Sequence, residues 1–522
     1  MSFQTKILNH FHLTLADYEQ LVGVEKIESF IDTKLFPSIT AIVSAIKMGI
    51  AKQETFLVYG DYDADGMLAT AIMVRTLKQL GASVSSYLPS RYMDGYGIQE
   101  DKIERLIQKK FNWLITVDNG INALIPVQKA IQSGLNVVVT DHHQIGPVLP
   151  NTPWILHPHH QTTNTLPMCG SMMAFYLSVG LLGQIDPFNS ALAGIATLAD
   201  YMPLLGLNRS IVKHAIRLLN SQPLPIITRL VGNNPIDETT LNMQWIPMVN
   251  SIGRVVENQN INRITQFLIT EDEEERFMLA DWIKVMYQQR KDLSKKAIEN
   301  LRYDENQSAI IIKTSEKEGI IGLLATRLGQ ETKKPVFILS DANRHTEGYV
   351  GSSRSLESQS VLLALQAAES TLIRFGGHHG AAGFEVKKDQ FESFQQKILH
   401  YYDEKSTTHH FPKQALISLS EPDLNLENYR FVEALKPFGR SFTAPLFQLT
   451  RIPTASLRFI KEGTILSHAW KGFKLFSFQI KRDDLMLYDE VDFIGEFRIN
   501  YYLGQKEIQF LVLDFIPSET RK

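Results

Sequence analysis

Three aspartates at alternate positions, directly after a short apolar run, constrain this chain more than any other feature. The run Phe56–Val58 predicts a buried strand, and the segment Met67–Leu80 predicts a helix. This order places Asp61, Asp63 and Asp65 at the carboxyl end of a strand, where open α/β sheets bind ligands. Carboxylates this close raise one another's pKa unless a cation neutralises them, which indicates half of a metal site. An acidic turn that caps a helix is the structural alternative.

The following segment alternates between predicted strands and predicted helices. Strands are predicted at Ser83–Leu88, Trp113–Val117 and Val137–Thr140, and helices at Glu100–Lys110 and Ala123–Gln132. This alternation predicts an α/β fold built on a mostly parallel, doubly wound sheet.

Polar residues recur where these elements end. They are Asp118 with Asn119, Asp141 with His142 and His143, and Asp200 after a helix predicted at Ala191–Ala199. Each alone has a structural explanation, as a helix cap, a core histidine or a turn residue. Together they favour one group of ligands along one edge of the sheet.

Composition limits the possible partners and the compartment. A chain of 522 residues has room for about three or four domains. A net charge of -3 excludes a globally basic nucleic-acid coat, so any nucleic-acid binding must use local patches. The single cysteine, Cys169, cannot form an internal disulfide, which favours a reducing cytoplasm. Without a signal-peptide pattern or an apolar run of about 18 residues, the sequence predicts a soluble protein with no membrane partner.

Two later segments are candidates for nucleic-acid contact. Phe375–Gly383 is rich in glycine, whose N–H groups can cradle a phosphate, although a tight structural turn is the alternative. Arg458–Arg482 holds six Lys or Arg residues and one acid, interleaved with aromatic residues. Such interleaving is typical of single-strand platforms, but the aromatic rings can equally form the core of a small barrel.

Four ordered motifs resemble those of the DHH phosphoesterases, in the form of the RecJ branch of single-strand-specific DNA exonucleases. They are Asp61-Tyr-Asp-Ala-Asp-Gly66, Val117-Asp-Asn-Gly120, Asp141-His-His143 and Ala199-Asp-Tyr-Met-Pro203. Gly351-Ser-Ser-Arg-Ser355 and Phe375–Gly383 are similar to the DHH-associated domain, and the tail ending in Phe510-Leu-Val-Leu-Asp514 looks like the OB domain of the family.

The resemblance implies a domain order. It consists of a helical lead-in (1–50), a DHH catalytic domain (51–265), a connecting helix (266–305), an α/β DHH-associated domain that binds nucleic acid (306–405) and a β-rich OB-like domain (412–522).

The resemblance also implies a site with two divalent ions, Mn²⁺ or Mg²⁺. The implied ligands are Asp61, Asp63, Asp65, Asp118, His142 and Asp200, with Asp118 bridging the two ions. His143 would touch the scissile phosphate, and Asp141 and Asn119 would support the ligands, Asp141 as the partner of His142. Nucleic-acid contacts are implied at Arg91, Arg254, Ser353, Arg354, Gly376, Gly377, His378 and His379.

The chain departs from the family pattern at two places. Many DHH enzymes have a histidine where this chain has Tyr59, and Asp61 is the candidate replacement. An aromatic-histidine pair is replaced by Glu316-Lys317, which puts one contact of the DHH-associated domain in question.

The function that the resemblance implies is a metal-dependent 5′→3′ exonuclease on single-stranded DNA, acting in DNA repair and recombination. A single-strand-binding protein or a helicase is a candidate protein partner. Two alternatives stay open: a DHH-family phosphodiesterase on short oligonucleotides or nucleotides, and a non-catalytic single-strand-binding homologue.

Overall fold

A computed structural model of the chain describes residues 1–94, 97–160, 162, 166–341, 348–355, 359–405, 416–470, 473–485, 487–502 and 505–520. The chain forms two compact units. The first comprises Met1–Glu25, Pro203–Leu205 and Pro412–Lys522, and the second comprises Lys26–Met202 and Gly206–Phe411. The segment 1–50, grouped as one lead-in on its sequence, is divided between the two units. The predicted boundary between 405 and 412 falls largely on residues 406–415, outside the described residues.

The first unit begins with two short helices, α1 (Phe3–His10) and α2 (Leu15–Val22). Each is capped by a hydroxyl, from Ser2 and from Thr14. Thr14 and Asp17 form a reciprocal capping box, which satisfies N–H groups at the start of α2.

The second unit contains a five-stranded sheet in the order β2-β1-β3-β4-β5, with every neighbouring pair parallel. Its elements are α3 (Ser38–Ala51), β1 (Thr55–Tyr59), α4 (Ala64–Gln79), β2 (Ser83–Tyr87), α5 (Glu100–Gln108), β3 (Trp113–Val117), α6 (Leu124–Gln132), β4 (Asn136–Thr140) and β5 (Trp154–Leu156). The predicted parallel sheet is confirmed. Because β1, β3 and β4 are parallel neighbours, their carboxyl ends lie at the same edge of the sheet.

Helix α4 begins at Ala64, three residues before the predicted start. The carboxylate of Asp63 caps it by accepting a hydrogen bond of 3.1 Å from the N–H of Gly66. An aspartate of this loop can therefore cap the helix without excluding a metal site. One carboxylate oxygen of Asp63 caps α4, and its other oxygen and the carboxylate of Asp65, in the first turn, are not used by this cap.

Helices connect this sheet to a second one. They are α7 (Gly170–Leu182), α8 (Pro187–Ala199), α9 (Gly206–Ser221), α10 (Pro225–Val231), α11 (Glu238–Thr240), α12 (Ile246–Val255), α13 (Arg263–Ile269) and α14 (Glu273–Asn300). The predicted long connecting helix is α14, with 28 residues, and Asp272 caps it. The apolar helix α7 packs on α4. None of the described helices by itself has the length and apolarity to cross a membrane, although Ile27–Leu35 and Ser38–Ala51, bent by 85°, meet that test as a pair.

The second sheet is mixed, in the order β6-β7-β8-β10-β9. Its elements are β6 (Ile310–Thr314), α15 (Glu318–Thr332), β7 (Val336–Ser340), β8 (Gly348–Arg354), α16 (Val361–Ala367), β9 (Leu372–His378), β10 (Ala381–Lys387) and α17 (Phe391–Lys405). The glycine-rich segment forms the hairpin of β9 and β10, which turns at His379 and Gly380.

The first unit is completed by a seven-stranded sheet in the order β11-β12-β16-β17-β15-β14-β13. Its elements are β11 (Ile417–Leu419), α18 (Leu426–Glu433), β12 (Phe447–Pro453), β13 (Phe459–Ile460), β14 (Ile465–Trp470), β15 (Phe473–Ser477), α19 (Arg482–Leu485), β16 (Tyr488–Tyr502) and β17 (Gln505–Thr520). The predicted β-rich domain is confirmed. Phe3, Ile7 and Tyr18 of α1 and α2 pack in its core.

Candidate active site

The three alternate aspartates occupy a tight loop between β1 and α4. A Cβ atom on Gly66 would lie 2.6 Å from the backbone nitrogen of Asp61, so only glycine allows this approach. From α12, Oδ1 of Asn250 accepts a hydrogen bond of 2.9 Å from the N–H of Ala64. The loop is therefore fixed from within and from a helix distant in sequence.

Asp118, at the end of β3, has a left-handed backbone with φ of 60°. A residue other than glycine adopts this conformation at a cost, and such outliers cluster at functional sites. A Cβ atom on Gly170 would lie 2.5 Å from Asp118, so the start of α7 packs directly against this aspartate.

The predicted ligands lie close together at the edge of the sheet. Ligand atoms lie within 4.8 Å of one another in three groups: Asp61 with Asp63 and Asp118; Asp65 with His142 and Asp200; and Asp118 with His142 and His143. Nε2 of His142 lies 3.0 Å from Oδ1 of Asp118, 3.6 Å from Oδ2 of Asp200 and 3.9 Å from Oδ2 of Asp65. Asp118 belongs to two groups, as a bridging ligand would.

The raised pKa values of these carboxylates agree with a cation site, because a bound cation would offset the cost of burying several negative charges together. Burial and the charge of Asp63 raise the pKa of Asp61 to about 7. Burial also raises the pKa of Asp65 and, well above its usual value, that of Asp118. Oδ1 of Asp61 is buried and accepts no hydrogen bond from any described residue. Carboxylate oxygens with one imidazole nitrogen suit Mn²⁺ or Mg²⁺, so the residues present fit two divalent ions.

Asp65 is oriented by the start of α7. Its two carboxylate oxygens accept hydrogen bonds from consecutive backbone N–H groups, 2.7 Å from Gly170 and 2.8 Å from Ser171. The hydroxyl of Ser171 also donates to the backbone carbonyl of Asp65, at 2.8 Å. These contacts fix the carboxylate relative to α7 and leave each oxygen a lone pair for a cation.

The two adjacent histidines have different partners. Oδ1 of Asp141 lies 2.7 Å from Nδ1 of His143, and Oδ2 accepts the N–H of Ile121 at 2.8 Å. Asp141 thus contacts His142 through its backbone N–H, at 2.7 Å, whereas the imidazole ring that it contacts is that of His143. Asn119 supports the same edge, donating to the carbonyl of Val117 at 2.9 Å.

Tyr59, at the position of the family histidine, packs in a hydrophobic core with Ile98 and Ile103. Its ring is fully buried, and its hydroxyl donates to the carbonyl of Gly97 at 3.3 Å. The ligand atoms of Asp61, Asp63 and Asp118 lie within 4.8 Å of one another.

A cavity of about 380 Å³ opens between the two sheets of the second unit. Arginines from different elements line it, including Arg91, Arg254 and Arg354, together with Glu318. Burial lowers the pKa of Arg254 to about 10, and the charges of Arg91, Arg354 and Arg290 contribute to the same shift. This concentration of buried cations makes the cavity a candidate anion pocket.

Only some of the predicted nucleic-acid contact residues line the pocket. Gly376 lines it, whereas Ser353 is 0 % exposed and donates its hydroxyl to the carbonyl of Ala382. Ser353 therefore does not line the pocket, whereas Ser352 does, because alternate residues of a strand share a face and Ser352 shares that of Arg354. Arg354 donates to the hydroxyl of Ser352 at 3.1 Å.

The remaining hairpin residues are not among the described residues that line the pocket. Gly377 has φ of 143°, and a Cβ atom there would lie 2.4 Å from the carbonyl oxygen of Ala381, which explains the glycine by hairpin geometry. His379 is exposed in the turn, and the side chain of His378 lies outside the described residues.

Arg91 stacks on a tyrosine rather than pairing with the nearby acid. Its guanidinium carbon lies 4.1 Å from the ring centroid of Tyr62. The structural alternative, an ion pair with Asp94, is absent from the described ion pairs, since Asp94 pairs with Lys102 at 2.7 Å.

Sequence reasoning missed several contributors. His157 is buried, and its Nε2 lies 2.8 Å from the carbonyl oxygen of His143 while Nδ1 accepts the N–H of His159. Asn250 and Ser171 act across more than 100 residues. Ser352 belongs to the motif Gly351-Ser-Ser-Arg-Ser355, and period-2 alternation is the signal that places it on the same strand face as Arg354.

Models of three known domains match the chain. The DHH family, N-terminal domain matches residues 55–199, the DHHA1 domain matches 305–404, and the RecJ OB domain matches 417–514.

Similar proteins span most of this chain. The single-stranded-DNA-specific exonuclease RecJ of Bacillus subtilis is 29% identical over 499 residues, covering 91% of this chain and 63% of that protein. The RecJ of Thermus thermophilus is 30% identical over 477 residues, covering 88% of this chain and 68% of that protein. The chain thus spans about two thirds of the length of these relatives.

Solved structures agree with this likeness. The crystal structure of RecJ in complex with Mn²⁺ from Thermus thermophilus matches with a TM-score of 0.80 and 26% identity, covering 94% of this chain and 73% of that one. The complex with Mg²⁺ from the same organism matches with a TM-score of 0.76 and 25% identity, covering 98% and 74%. The order of the three domains, the shared fold and the identity over most of the chain lead to one conclusion: this chain belongs to the RecJ family.

Proposed function

We propose that this chain is a metal-dependent exonuclease that hydrolyses single-stranded DNA from its 5′ end. The observation that carries the proposal is the nearness of two sites in one unit: a cluster of buried carboxylates with His142, and a pocket of arginines whose charges act on that cluster. Arg91 is among the charges that lower the pKa of Asp61. One site suits divalent ions and the other suits a phosphate, as an enzyme that recognises a strand end requires.

The carboxylates and His142 would hold two divalent ions. Asp61, Asp63 and Asp118 would hold one ion, and Asp65, His142 and Asp200 the other. Asp118, 3.0 Å from Nε2 of His142, would be shared by both. The bound ions would lower the pKa of water and balance the charge of the attacking and leaving oxygens. Asp65 would keep its orientation through the N–H groups of Gly170 and Ser171.

His143 would contribute a positive charge beside the scissile phosphate. Burial opposes its protonation, but the hydrogen bond and the charge of Asp141 outweigh burial and raise the pKa of His143 to about 9. The ring would therefore be charged at neutral pH and would stabilise a phosphate oxygen that gains negative charge.

The arginine pocket would bind a 5′-terminal phosphate. A terminal phosphate carries close to two negative charges at neutral pH, more than an internal diester. Arg91, Arg254 and Arg354 with Glu318 sum to a net charge of +2, which matches such a group. Water would add to phosphorus as the bond to O3′ breaks, so each cleavage would leave a new 5′-phosphate on the shortened strand.

The test uses one single strand labelled at either end, with Mn²⁺. We expect a 5′ label to appear at once in a small product, a 3′ label to pass through progressively shorter strands, and a circular strand to stay intact. EDTA should abolish all cleavage. Cutting of the circle, or release of the 3′ label first, would show that the proposal is wrong.

We infer further that the protein acts in a reducing cytoplasm. Cys169, its one cysteine, is buried and free, so the fold requires no disulfide.

A further inference from the structure

Tyr62 connects the carboxylate cluster to the arginine pocket. It lies between Asp61 and Asp63, which both belong to the cluster, and its ring contacts the guanidinium of Arg91 in the pocket. Only 8% of Tyr62 is exposed. One residue of the loop therefore contacts an arginine of the pocket, while its two neighbours belong to the carboxylate cluster.

The contact with the ring orients Arg91. Nε of Arg91 is buried and makes no hydrogen bond to any described residue, so Nε does not hold the guanidinium plane. A planar cation on an aromatic face is attracted by the ring quadrupole, and burial strengthens this attraction. Without the ring, a long arginine side chain gains rotamers that direct its charge elsewhere.

Helix α12 holds the backbone of Tyr62 and contributes to the same pocket. A Cβ atom on Gly253 would lie 1.9 Å from the carbonyl oxygen of Tyr62, so the helix backbone packs directly on this residue. The next residue, Arg254, lines the pocket and donates to the carbonyl of Gly319 at 3.0 Å. Asn250 of the same helix accepts the N–H of Ala64 at 2.9 Å. The loop of Asp61 and Asp63 and helix α12 thus pack on each other, and together they carry residues of the carboxylate cluster and Arg254 of the pocket.

We propose that Tyr62 is a positioning residue that sets how many nucleotides are released in each cleavage. The inference rests on the proposed function, in which the pocket anchors the terminal phosphate and the cluster cleaves a bond at a fixed distance from it. If the anchor is fixed relative to the cluster, a single phosphodiester of the strand reaches the ions. If Arg91 is loosened, neighbouring phosphodiesters reach them too, and products of several lengths appear.

The experiment measures product length and end preference for Tyr62→Leu. Wild type and variant are given a 5′-phosphorylated single strand and its 5′-hydroxyl counterpart with Mn²⁺, and the first products are sized. We expect one dominant product size from wild type, and from the variant a mixture together with about a tenfold smaller preference for the 5′-phosphate. Tyr62→Phe keeps the ring and should behave like wild type. Phe188→Leu is the matched control, because it removes a ring from beneath Arg75, 4.8 Å away, outside the site.

The outcomes separate the inference from the proposed function. If wild type shows no exonuclease activity or no 5′-phosphate preference, the proposed function fails and the inference with it. If wild type behaves as expected and Tyr62→Leu is slower but releases the same product with the same preference, Tyr62 is only structural and the inference is overturned. If Tyr62→Leu has a lowered melting temperature, a second variant, Asn250→Ala, is measured instead. It removes the hydrogen bond from the N–H of Ala64 that holds the loop on α12. An unchanged product size in Asn250→Ala overturns the inference.

Discussion

Oδ1 of Asp141 lies 2.7 Å from Nδ1 of His143, and the pKa values of the two adjacent histidines shift in opposite directions. Burial favours the neutral form of Asp141, but the bond and the charge of His143 outweigh it and lower the pKa of Asp141 to about 2. The same pair raises the pKa of His143 to about 9. The ring of His142 lies outside this pair, and burial lowers its pKa, so its Nε2 is available to the carboxylate cluster.

Replacing Asp141 by Asn should shift the alkaline limit of activity to lower pH. The amide carries no charge, so the pKa of His143 falls from about 9 towards its usual value of 6.5. His143 then loses its proton as the pH rises through a lower range, and kcat/KM falls earlier. The measurement is kcat/KM from about pH 6 to pH 10, on either side of these values, at saturating Mn²⁺. An unchanged alkaline limb would contradict the role of a charged His143.

Asp118→Asn should remove hydrolysis while keeping the fold. Asn tolerates the left-handed backbone of Asp118, so we expect little change in melting temperature. Loss of the shared charge weakens both ion sites, so turnover should fall by more than about tenfold, as for the loss of a catalytic ligand. Asp186→Asn is the control: it removes a carboxylate that caps α8, outside the cluster. Turnover above about a tenth of wild type would rule out the bridging role.

Metal removal should destabilise the protein more at pH 7.5 than at pH 5. The pKa of Asp61 is raised to about 7 in the folded protein, above its usual 3.8, so the metal-free fold loses stability as the pH rises between these values. Bound Mn²⁺ compensates the negative charge of Asp61 and its neighbours. A ligand at about 100 times its Kd adds about 2.7 kcal/mol to the free energy of unfolding.

The measurement is the difference in Tm between Mn²⁺ and EDTA at each pH. Asp61→Asn lacks one of these charges and should show a smaller change of that difference with pH. Equal differences at the two pH values in wild type would argue against a cation site at Asp61.

Arg91→Ala should abolish the preference for a 5′-phosphate with little change in Tm. A charge-assisted hydrogen bond contributes about 1.5–3 kcal/mol, which corresponds to a loss of roughly tenfold to a hundredfold on the phosphorylated strand alone. Arg91→Lys keeps the charge without the planar fork and should recover only part of the preference. Equal losses on phosphorylated and hydroxyl ends, with a lower Tm, would instead indicate a structural role.

The sheet of the first unit should bind long single strands through exposed rings. Phe473 is buried in the core, whereas Phe478 is 69% exposed and contacts Phe476, near Lys474. Phe478→Ala should weaken binding of a long strand by about 1–3 kcal/mol, as expected for one stacked base. Lys474→Ala should reduce the salt dependence by about one phosphate contact. Leu487→Ala, also at an exposed site (67%), is the control without a ring. Equal affinities of Phe478→Ala and Leu487→Ala would exclude a stacking role.

Local patterns in the sequence determined the parallel sheet and the position of its acidic edge. A short apolar strand followed by polar residues places those residues at a strand end wherever the strand packs, so the edge follows from order alone. The strand Trp113–Val117 has the predicted bounds. The long helix α14 was also predictable, because Asp272 and the acids after it suit a helix start. The order of the motifs likewise identified the family.

Only the tertiary structure decided which groups meet. Asp141 contacts the ring of His143 but only the backbone N–H of His142, because of ring orientation, which sequence order does not specify. Ser352 replaces Ser353 in the pocket because the register of β8 turns Ser353 into the core. Asn250 contacts the loop of Asp61 and Asp63 by a hydrogen bond from the N–H of Ala64, across a long sequence separation. Arg91 contacts the same loop through the ring of Tyr62. Sequence periodicity specifies the faces of single elements, whereas the contacts between elements depend on how close-packed side chains fill the space between them.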